Sequence, residues 1–358
     1  VLLVVALALP VMASQAVKIF VNGQEMKTDV PAQIVDGRTL VPLRAIAEGL
    51  GQKVDWDNET KTATITGGAL DKVNAISAEY SSSLHKELSG ARVDRSGCIA
   101  CHDGNGFENS DYEWVEGNKK GLACESCHSG NGEELLETGL VELPFMAEPY
   151  EAGASALCMT CHSGRRDVDA DYAKVTDDGF RTELRYPHYA AAALLVTGTG
   201  MEIPGYEYAQ SAAHTNIEDS CISCHMPKTE EGYKTHNFGA DVAYADQTCG
   251  TCHGSVDSFN INGYQTEITK IKEKVKKAVV DAVPGAVEMT TSHGQLAFKN
   301  AAGEYIDAGE VPQAAYIAAY NYKLVDYDGS KGVHNPKYAK SLLLNSYKNL
   351  TGKDMVLE

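Results

Sequence analysis

The last third of the chain has the clearest pattern of apolar and polar positions. Four apolar residues recur there at spacings of three or four: Ile268, Ile271, Val275 and Val279. This is the period of one face of an α-helix, and the lysines between these residues belong on the solvated face. The pattern predicts an amphipathic helix near 265–281. Two more helices are expected near 313–325 and 336–350.

Residues 17–68 have the pattern of a small α+β domain made of strands and one helix. Strands are expected at Val17–Val21, before an Asn22-Gly23 turn and a second strand, and at Gln52–Trp56 and Lys61–Thr66. Pro42 is expected to begin the helix and Gly51 to end it. Residues 17–67 contain neither cysteine nor histidine. This domain therefore offers no thiol or imidazole to a metal.

The first sixteen residues form an apolar segment interrupted by Pro10 and followed by small residues. The segment is shorter than the roughly 20 residues that a membrane-spanning helix needs. Its composition is typical of the apolar core and cleavage site of a secretory signal. We therefore expect an exported protein with no transmembrane span.

All ten cysteines of the chain lie in five Cys-x-x-Cys-His motifs. We number the motifs as sites 1 to 5 in chain order. The cysteines are Cys98 and Cys101, Cys124 and Cys127, Cys158 and Cys161, Cys221 and Cys224, and Cys249 and Cys252. The histidines that follow them are His102, His128, His162, His225 and His253.

This spacing is typical of the covalent attachment of c-type haem. Two cysteine sulfurs form thioethers to the porphyrin, and the following histidine becomes the proximal iron ligand. A zinc site would combine cysteines from different motifs, and a disulfide framework would not need a histidine after every second cysteine. Five motifs with no cysteine left over therefore predict five covalently attached haems.

The remaining histidines indicate how the irons are coordinated. Eleven histidines less the five in the motifs leave six, and five haems need five distal ligands. The six are His85, His188, His214, His236, His293 and His334. Met226 directly follows His225 and is badly placed to reach its own iron. We expect bis-histidine irons with one histidine to spare, and we expect that one to be His293.

Several stretches of the chain resemble known families. The contexts of His188, His214, His236 and His334 are similar to those of distal ligands in bacterial multihaem c-type cytochromes. The run Asp36-Gly37-Arg38-Thr39-Leu40-Val41-Pro42-Leu43-Arg44 closely resembles the copper amine oxidase N-terminal-like domain. That resemblance implies a non-catalytic stalk domain at a cell surface. The cytochrome resemblance implies a mostly irregular multihaem cytochrome body with short α-helices over 69–358. Its haem sites would lie at 98–253. A haemless helical tail at 254–358 would supply distal ligands.

The function that this implies is extracellular electron transfer. The body is similar to secreted cytochromes that polymerise head to tail into conductive filaments, with His85 or His293 as a ligand donated across subunits. The redox partners would be surface proteins or an extracellular acceptor such as a mineral or another cytochrome. The net charge of −18 argues against nucleic acid as a partner. The alternatives are a reductase of a nitrogen or sulfur oxyanion with one open haem, and a surface adhesin that stores electrons.

Overall fold

The computed structural model describes residues 17–21, 23–87, 96–109, 111–113, 115, 117–118, 120–173 and 183–357. The expected signal segment 1–16 and Asn22 of the expected turn lie outside the described residues. The chain divides into two compact units. Unit 1 consists of residues up to Ser81 together with Glu230–His236, and unit 2 consists of Ser82–Thr229 and Asn237 onward.

Unit 1 is built from three two-stranded antiparallel hairpins and two helices. The strands are β1 (Phe20–Val21), β2 (Gln24–Glu25), β3 (Gln33–Val35), β4 (Arg38–Leu40), β5 (Lys53–Asp57) and β6 (Thr62–Thr66). The helices are α1 (Leu43–Gly49) and α2 (Ala69–Ser82). The helix after Pro42 and the last two strands are confirmed, whereas the β3–β4 hairpin and α2 were not predicted. Asp36 and Gly37 both have positive φ between β3 and β4, which makes their dipeptide a hairpin turn.

Unit 2 begins with a 3₁₀ turn at Leu84–Glu87 and a series of short helices. The helices are α3 (Ser96–His102), α4 (Gly104–Glu108), α5 (Cys124–His128), α6 (Gly130–Thr138), α7 (Ala156–Cys161), α8 (Val168–Tyr172), α9 (Ala192–Val196), α10 (Ala212–Thr215), α11 (Ser220–His225) and α12 (Gly250–His253). Strands β7 (Leu140–Val141) and β8 (Tyr150–Glu151) form a short hairpin. The expected mostly irregular body with short helices is confirmed.

The tail contains the longest helices of the described structure. These are α13 (Tyr264–Ala282), α14 (Gln313–Tyr327) and α15 (Pro336–Thr351), close to the three predicted ranges. Ile268, Ile271, Val275 and Val279 of α13 are fully buried, as their spacing predicts. A hairpin of β9 (Ala286–Ser292) and β10 (Gln295–Asn300) joins the same core through the buried Phe298 and was not predicted.

One buried amide connects two tail helices to the loop after α9. Asn321 of α14 accepts a hydrogen bond from the Met201 main-chain N–H at 2.9 Å and donates to the Met201 carbonyl at 2.9 Å. It also donates to the Ser346 hydroxyl of α15 at 2.9 Å. Every polar atom of this buried side chain therefore has a partner, as burial requires. Within the described ranges, no helix combines the length and apolar character that a membrane crossing needs.

Candidate haem sites

Each of the five Cys-x-x-Cys-His motifs lies on a short helix or at its ends. The helices are α3, α5, α7, α11 and α12 for sites 1 to 5 in turn. Residues three and four positions apart share one face of a helix. Both sulfurs and the imidazole of a motif are thereby directed to the same side. None of the ten cysteines is in a disulfide, so every motif sulfur is left for a thioether bond to haem.

At sites 1, 3, 4 and 5 the motif histidine faces a second histidine from elsewhere in the chain. The ring centroids are 6.2 Å apart for His102 and His188, 6.1 Å for His162 and His85, 6.1 Å for His225 and His334, and 6.2 Å for His253 and His214. A transition metal lies about 2 Å from an imidazole nitrogen, which is itself about 1.1 Å from its ring centroid. Two imidazoles on one metal therefore have centroids about 6 Å apart, so the residues fit bis-histidine iron.

Hydrogen bonds orient several of these rings. In each case Nδ1 lies within hydrogen-bond distance of a main-chain carbonyl, which leaves Nε2 directed to the paired ring. The contacts are His188 to Tyr189 at 3.0 Å, His214 to Val333 at 2.7 Å and His225 to Phe238 at 3.0 Å. A metal-bound histidine commonly donates its other N–H in this way, which fixes its tautomer and orientation.

The ring at site 4 has a different partner. Nδ1 of His334 donates to Oδ1 of Asp328, whose side chain has no exposed surface. Oδ2 of the same carboxylate accepts from the Ser330 main-chain N–H at 3.1 Å and from its hydroxyl. Burial alone would lower the pKa of His334, but the charge and hydrogen bond of Asp328 raise the pKa overall.

Burial dominates the environment of site 3. It lowers the pKa of His162 to about 4, with smaller effects from the neighbouring histidines, and it also lowers the pKa of His85. Burial disfavours the charged imidazolium, so His162 stays neutral to about pH 4 and the pKa of His85 is also below its ordinary value. A neutral imidazole is the form that binds a metal.

Neighbouring motifs approach each other at their sulfurs. The thiols of Cys101 and Cys161 lie close enough to shift each other's pKa, and so do those of Cys158 and Cys221. Haems attached through these neighbouring sulfurs would have their edges close together. Site 3 is thereby adjacent to sites 1 and 4. Cys224 and Cys249 also interact electrostatically, which brings site 5 next to site 4.

Arg165 adds a positive charge beside site 1. Its guanidinium donates to the Gly97 carbonyl at 2.6 Å, and its own φ is 53°. It lowers the pKa of the Cys101 thiol, after the hydrogen bond from Cys161, and adds to the burial that lowers the pKa of His188. Arg165 directly follows the turn after site 3, so it lies between two motifs.

The two remaining histidines are in different settings. In unit 1, Nδ1 of His236 lies 2.7 Å from the Lys234 carbonyl, and the His236 main-chain N–H donates to Glu79 at 2.7 Å. His293 is exposed at the β9–β10 turn with φ of 49°, and its Nδ1 lies 2.9 Å from the Ser292 hydroxyl. At site 2, His128 is exposed, as is His253 at site 5.

Negative charge is concentrated in the part of the sequence that contains the motifs. Residues 96–253 include 26 acidic and 9 basic residues, a net charge of −17. The tail, residues 254–358, includes 12 of each. Any charged group bound near the motifs is therefore in a strongly negative field.

Sequence reasoning gave no role to Asp328, Ser330 or Arg165. An aspartate at the end of a predicted helix, followed by a Gly-Ser turn and then a ligand histidine, would have been a usable signal for the first two. Arg165 has no comparable signal, because its relevance depends on the approach of sites 1 and 3.

Comparison with known proteins gives two family matches. The Cytochrome c552 family matches residues 71–357, and the Copper amine oxidase N-terminal domain matches residues 18–77. The second match confirms the resemblance noted for the N-terminal domain.

The individual relatives have low sequence identity to this chain. The chain is 24% identical to Cytochrome c-552 of Aliarcobacter butzleri, over 55% of this chain and 40% of that protein. It is 26% identical to C-type polyheme cytochrome OmcB of Geobacter sulfurreducens, over 55% of this chain and 31% of that protein. The chain thus covers less than half of these relatives. The crystal structure of outer cell wall cytochrome OcwA aligns with a TM-score of 0.49 at 18% identity, over 88% of this chain and 66% of that one.

Proposed function

Because this chain belongs to the cytochrome c552 family, we propose that it transfers electrons through five closely spaced c-type haems with two histidine ligands each. The observation that carries this proposal is the set of four histidine pairs with centroids 6.1 to 6.2 Å apart. Haem bound there would supply the reversible one-electron couple of its iron.

In this proposal the motif histidines are the proximal ligands and their paired histidines the distal ligands. His188 serves site 1, His85 site 3, His334 site 4 and His214 site 5. Both axial positions are then filled by protein side chains. An iron without an open position can change its oxidation state but cannot bind a substrate. The paired rings therefore support an electron carrier over a reductase at these four sites.

His236 and His293 are the two histidines outside these four pairs, and they remain as candidates for the fifth distal ligand. We favour His236, because its sequence context is similar to that of distal ligands in multihaem c-type cytochromes. His293 contacts only the neighbouring hydroxyl among the interactions described for it, and it lies on an exposed turn. His293 then remains the spare histidine.

The sulfur contacts support a connected path for the electrons. Sites 1, 3, 4 and 5 would follow one another in that order. Cys127 of site 2 interacts electrostatically with both Cys158 and Cys161, so site 2 would branch from site 3.

The experiment that tests this function combines a haem count with spin state. We expect the intact mass of the purified protein to report five haems, and electron paramagnetic resonance of the oxidised protein to show low-spin signals alone. A high-spin signal that changes when nitrite or sulfite is added would contradict the carrier and support a reductase with an open haem.

We further propose that the protein is extracellular and assembles into a head-to-tail homopolymer. The N-terminal match to a domain of surface proteins supports the location. The similarity of the body to secreted cytochromes that polymerise into filaments supports the assembly. Sedimentation and negative-stain images of the haem-loaded protein test the assembly. A single monomeric species at all concentrations would contradict it and leave the electron carrier intact.

A further inference from the structure

Asp328 occupies an unfavourable place for a carboxylate. It lies at the C-terminal end of α14, where the helix dipole is negative, and its side chain is fully buried. A buried charge at such a place needs a compensating partner. Its partners here are the Nδ1–H of His334 and the two donors of Ser330.

The loop from Asp328 to His334 is shaped around this carboxylate. Gly329, Lys331 and Gly332 all have positive φ, and the His334 main-chain N–H donates to the Ser330 hydroxyl at 3.3 Å. The loop therefore holds the imidazole and the carboxylate in one hydrogen-bonded ring. The carboxylate has no exposed surface and touches His334 directly, so its main effect is on that imidazole.

Two other distal histidines provide an internal comparison. Nδ1 of His188 and Nδ1 of His214 each face a neutral main-chain carbonyl. A carboxylate attracts the Nδ1 proton more strongly than a carbonyl does, since a hydrogen bond to a charged acceptor is about twice as strong. Withdrawal of that proton makes Nε2 more basic and favours the more highly charged ferric iron.

We propose that Asp328, acting through His334, gives site 4 the lowest reduction potential of the four paired sites. Asp328 is a positioning residue, because it touches the ligand and not the iron. The inference rests on the proposed function, in which His225 and His334 ligate one haem. Site 4 lies between sites 3 and 5, so an electron would rest on its neighbours and only pass through it.

The test measures the potential of each haem by redox titration followed with electron paramagnetic resonance. Asp328→Asn keeps the shape and an acceptor oxygen but removes the charge. We expect one low-spin haem to become easier to reduce by about tenfold in its equilibrium constant, which is about 59 mV for one electron. Asp326→Asn is the matched control, because this substitution removes the same charge at the same helix end. Asp326 pairs there with Lys272. Asp328→Glu should restore most of the wild-type potential.

A second variant shifts the potential in the opposite direction. Ser330→Ala removes the hydroxyl that donates to Oδ2, which leaves more charge on the oxygen facing His334. The same haem should then become harder to reduce. Equal shifts in Asp328→Asn and Asp326→Asn, or equal shifts of all five haems, would overturn the proposal for Asp328 and leave the electron carrier standing. Unchanged low-spin signals in His334→Gly would instead overturn the ligand assignment on which both depend.

Discussion

Nδ1 of His214 lies 2.7 Å from the main-chain carbonyl of Val333, although 119 positions of sequence separate the two residues. Val333 directly precedes His334. One loop of the haemless tail therefore orients the ring at site 5 through its main chain and supplies the ring at site 4 through its side chain. The tail is part of the proposed haem architecture even though it attaches no haem.

His214→Gly should open the iron at site 5. The variant removes the ring that faces His253, so one low-spin signal should be replaced by a high-spin signal in electron paramagnetic resonance. Added imidazole should restore the low-spin state. Ala212→Gly is the control, because it weakens the same short helix at an exposed position without removing a ligand. An unchanged spectrum of His214→Gly would show that another group ligates this iron.

Replacing His236 and replacing His293 should have opposite effects on the spin state of the fifth haem. If His236 is the ligand, His236→Gln should produce one high-spin haem, whereas His293→Gln should leave all five low-spin. Optical spectra in the region of the high-spin charge-transfer band report the difference directly. The reverse result would transfer the assignment to His293.

The His162 ring at site 3 should stay unprotonated to a lower pH than an ordinary histidine. The folded-state pKa of His162 is about 4 because of burial, below the ordinary value of 6.5, so the native protein binds fewer protons there than the unfolded chain. The corresponding stability is present above pH 6.5 and is lost as the pH falls from 6.5 through about 4. Neutral rings keep their iron, so a low-spin haem should persist to about pH 4 in an optical titration. Loss of every low-spin haem above pH 5 would contradict this.

Asn321→Ala should destabilise the tail strongly. The variant leaves the N–H and carbonyl of Met201 buried without partners, at a cost of roughly 1 to 3 kcal/mol for each unsatisfied group. We expect the free energy of unfolding in urea to fall by about 3 kcal/mol, measured by far-ultraviolet circular dichroism. Asn345→Ala is the control, since that half-buried amide donates to the Glu207 carbonyl and interacts with Tyr208 near the surface, and its effect should stay below about 1 kcal/mol. Equal effects would argue against the buried network.

Arg165→Gln should lower the reduction potential of site 1. The guanidinium is a positive charge beside Cys101 and His188, and a positive charge favours the ferrous state. Its removal should cost of the order of 1 kcal/mol of reduction free energy. Arg185→Gln removes the same charge from an ion pair with Glu183 and is the control in the same redox titration. Equal shifts in the two variants would assign the effect to net charge.

The sequence predicted those features that depend on local spacing. The helical period of Ile268, Ile271, Val275 and Val279 predicted α13, and the five motifs predicted the cysteines and histidines that could hold haem. The hairpin around His293 was missed, because its exposed and buried positions give only a weak alternation. The identity of each histidine pair was not predictable, since pairs such as His85 and His162 form only when distant segments pack together.

The residues around each site also divide into those that local spacing indicates and those that depend on packing. Asp328 lies six residues before His334 in the sequence, but its role depends on burial and on the direction of one hydrogen bond. Neither property can be read from residue order. Likewise, the order of the sites follows from the contacts of Cys161 with Cys101 and of Cys158 with Cys221.

Because negative charge is concentrated in residues 96–253, salt concentration should affect how readily this protein accepts electrons. Each electron taken up enters a region that already carries a net charge of −17 in its side chains. Dissolved ions screen that repulsion within about 10 Å at 0.1 M salt and within about 30 Å at 0.01 M. The whole set of haems should therefore accept electrons more readily in brine than in fresh water.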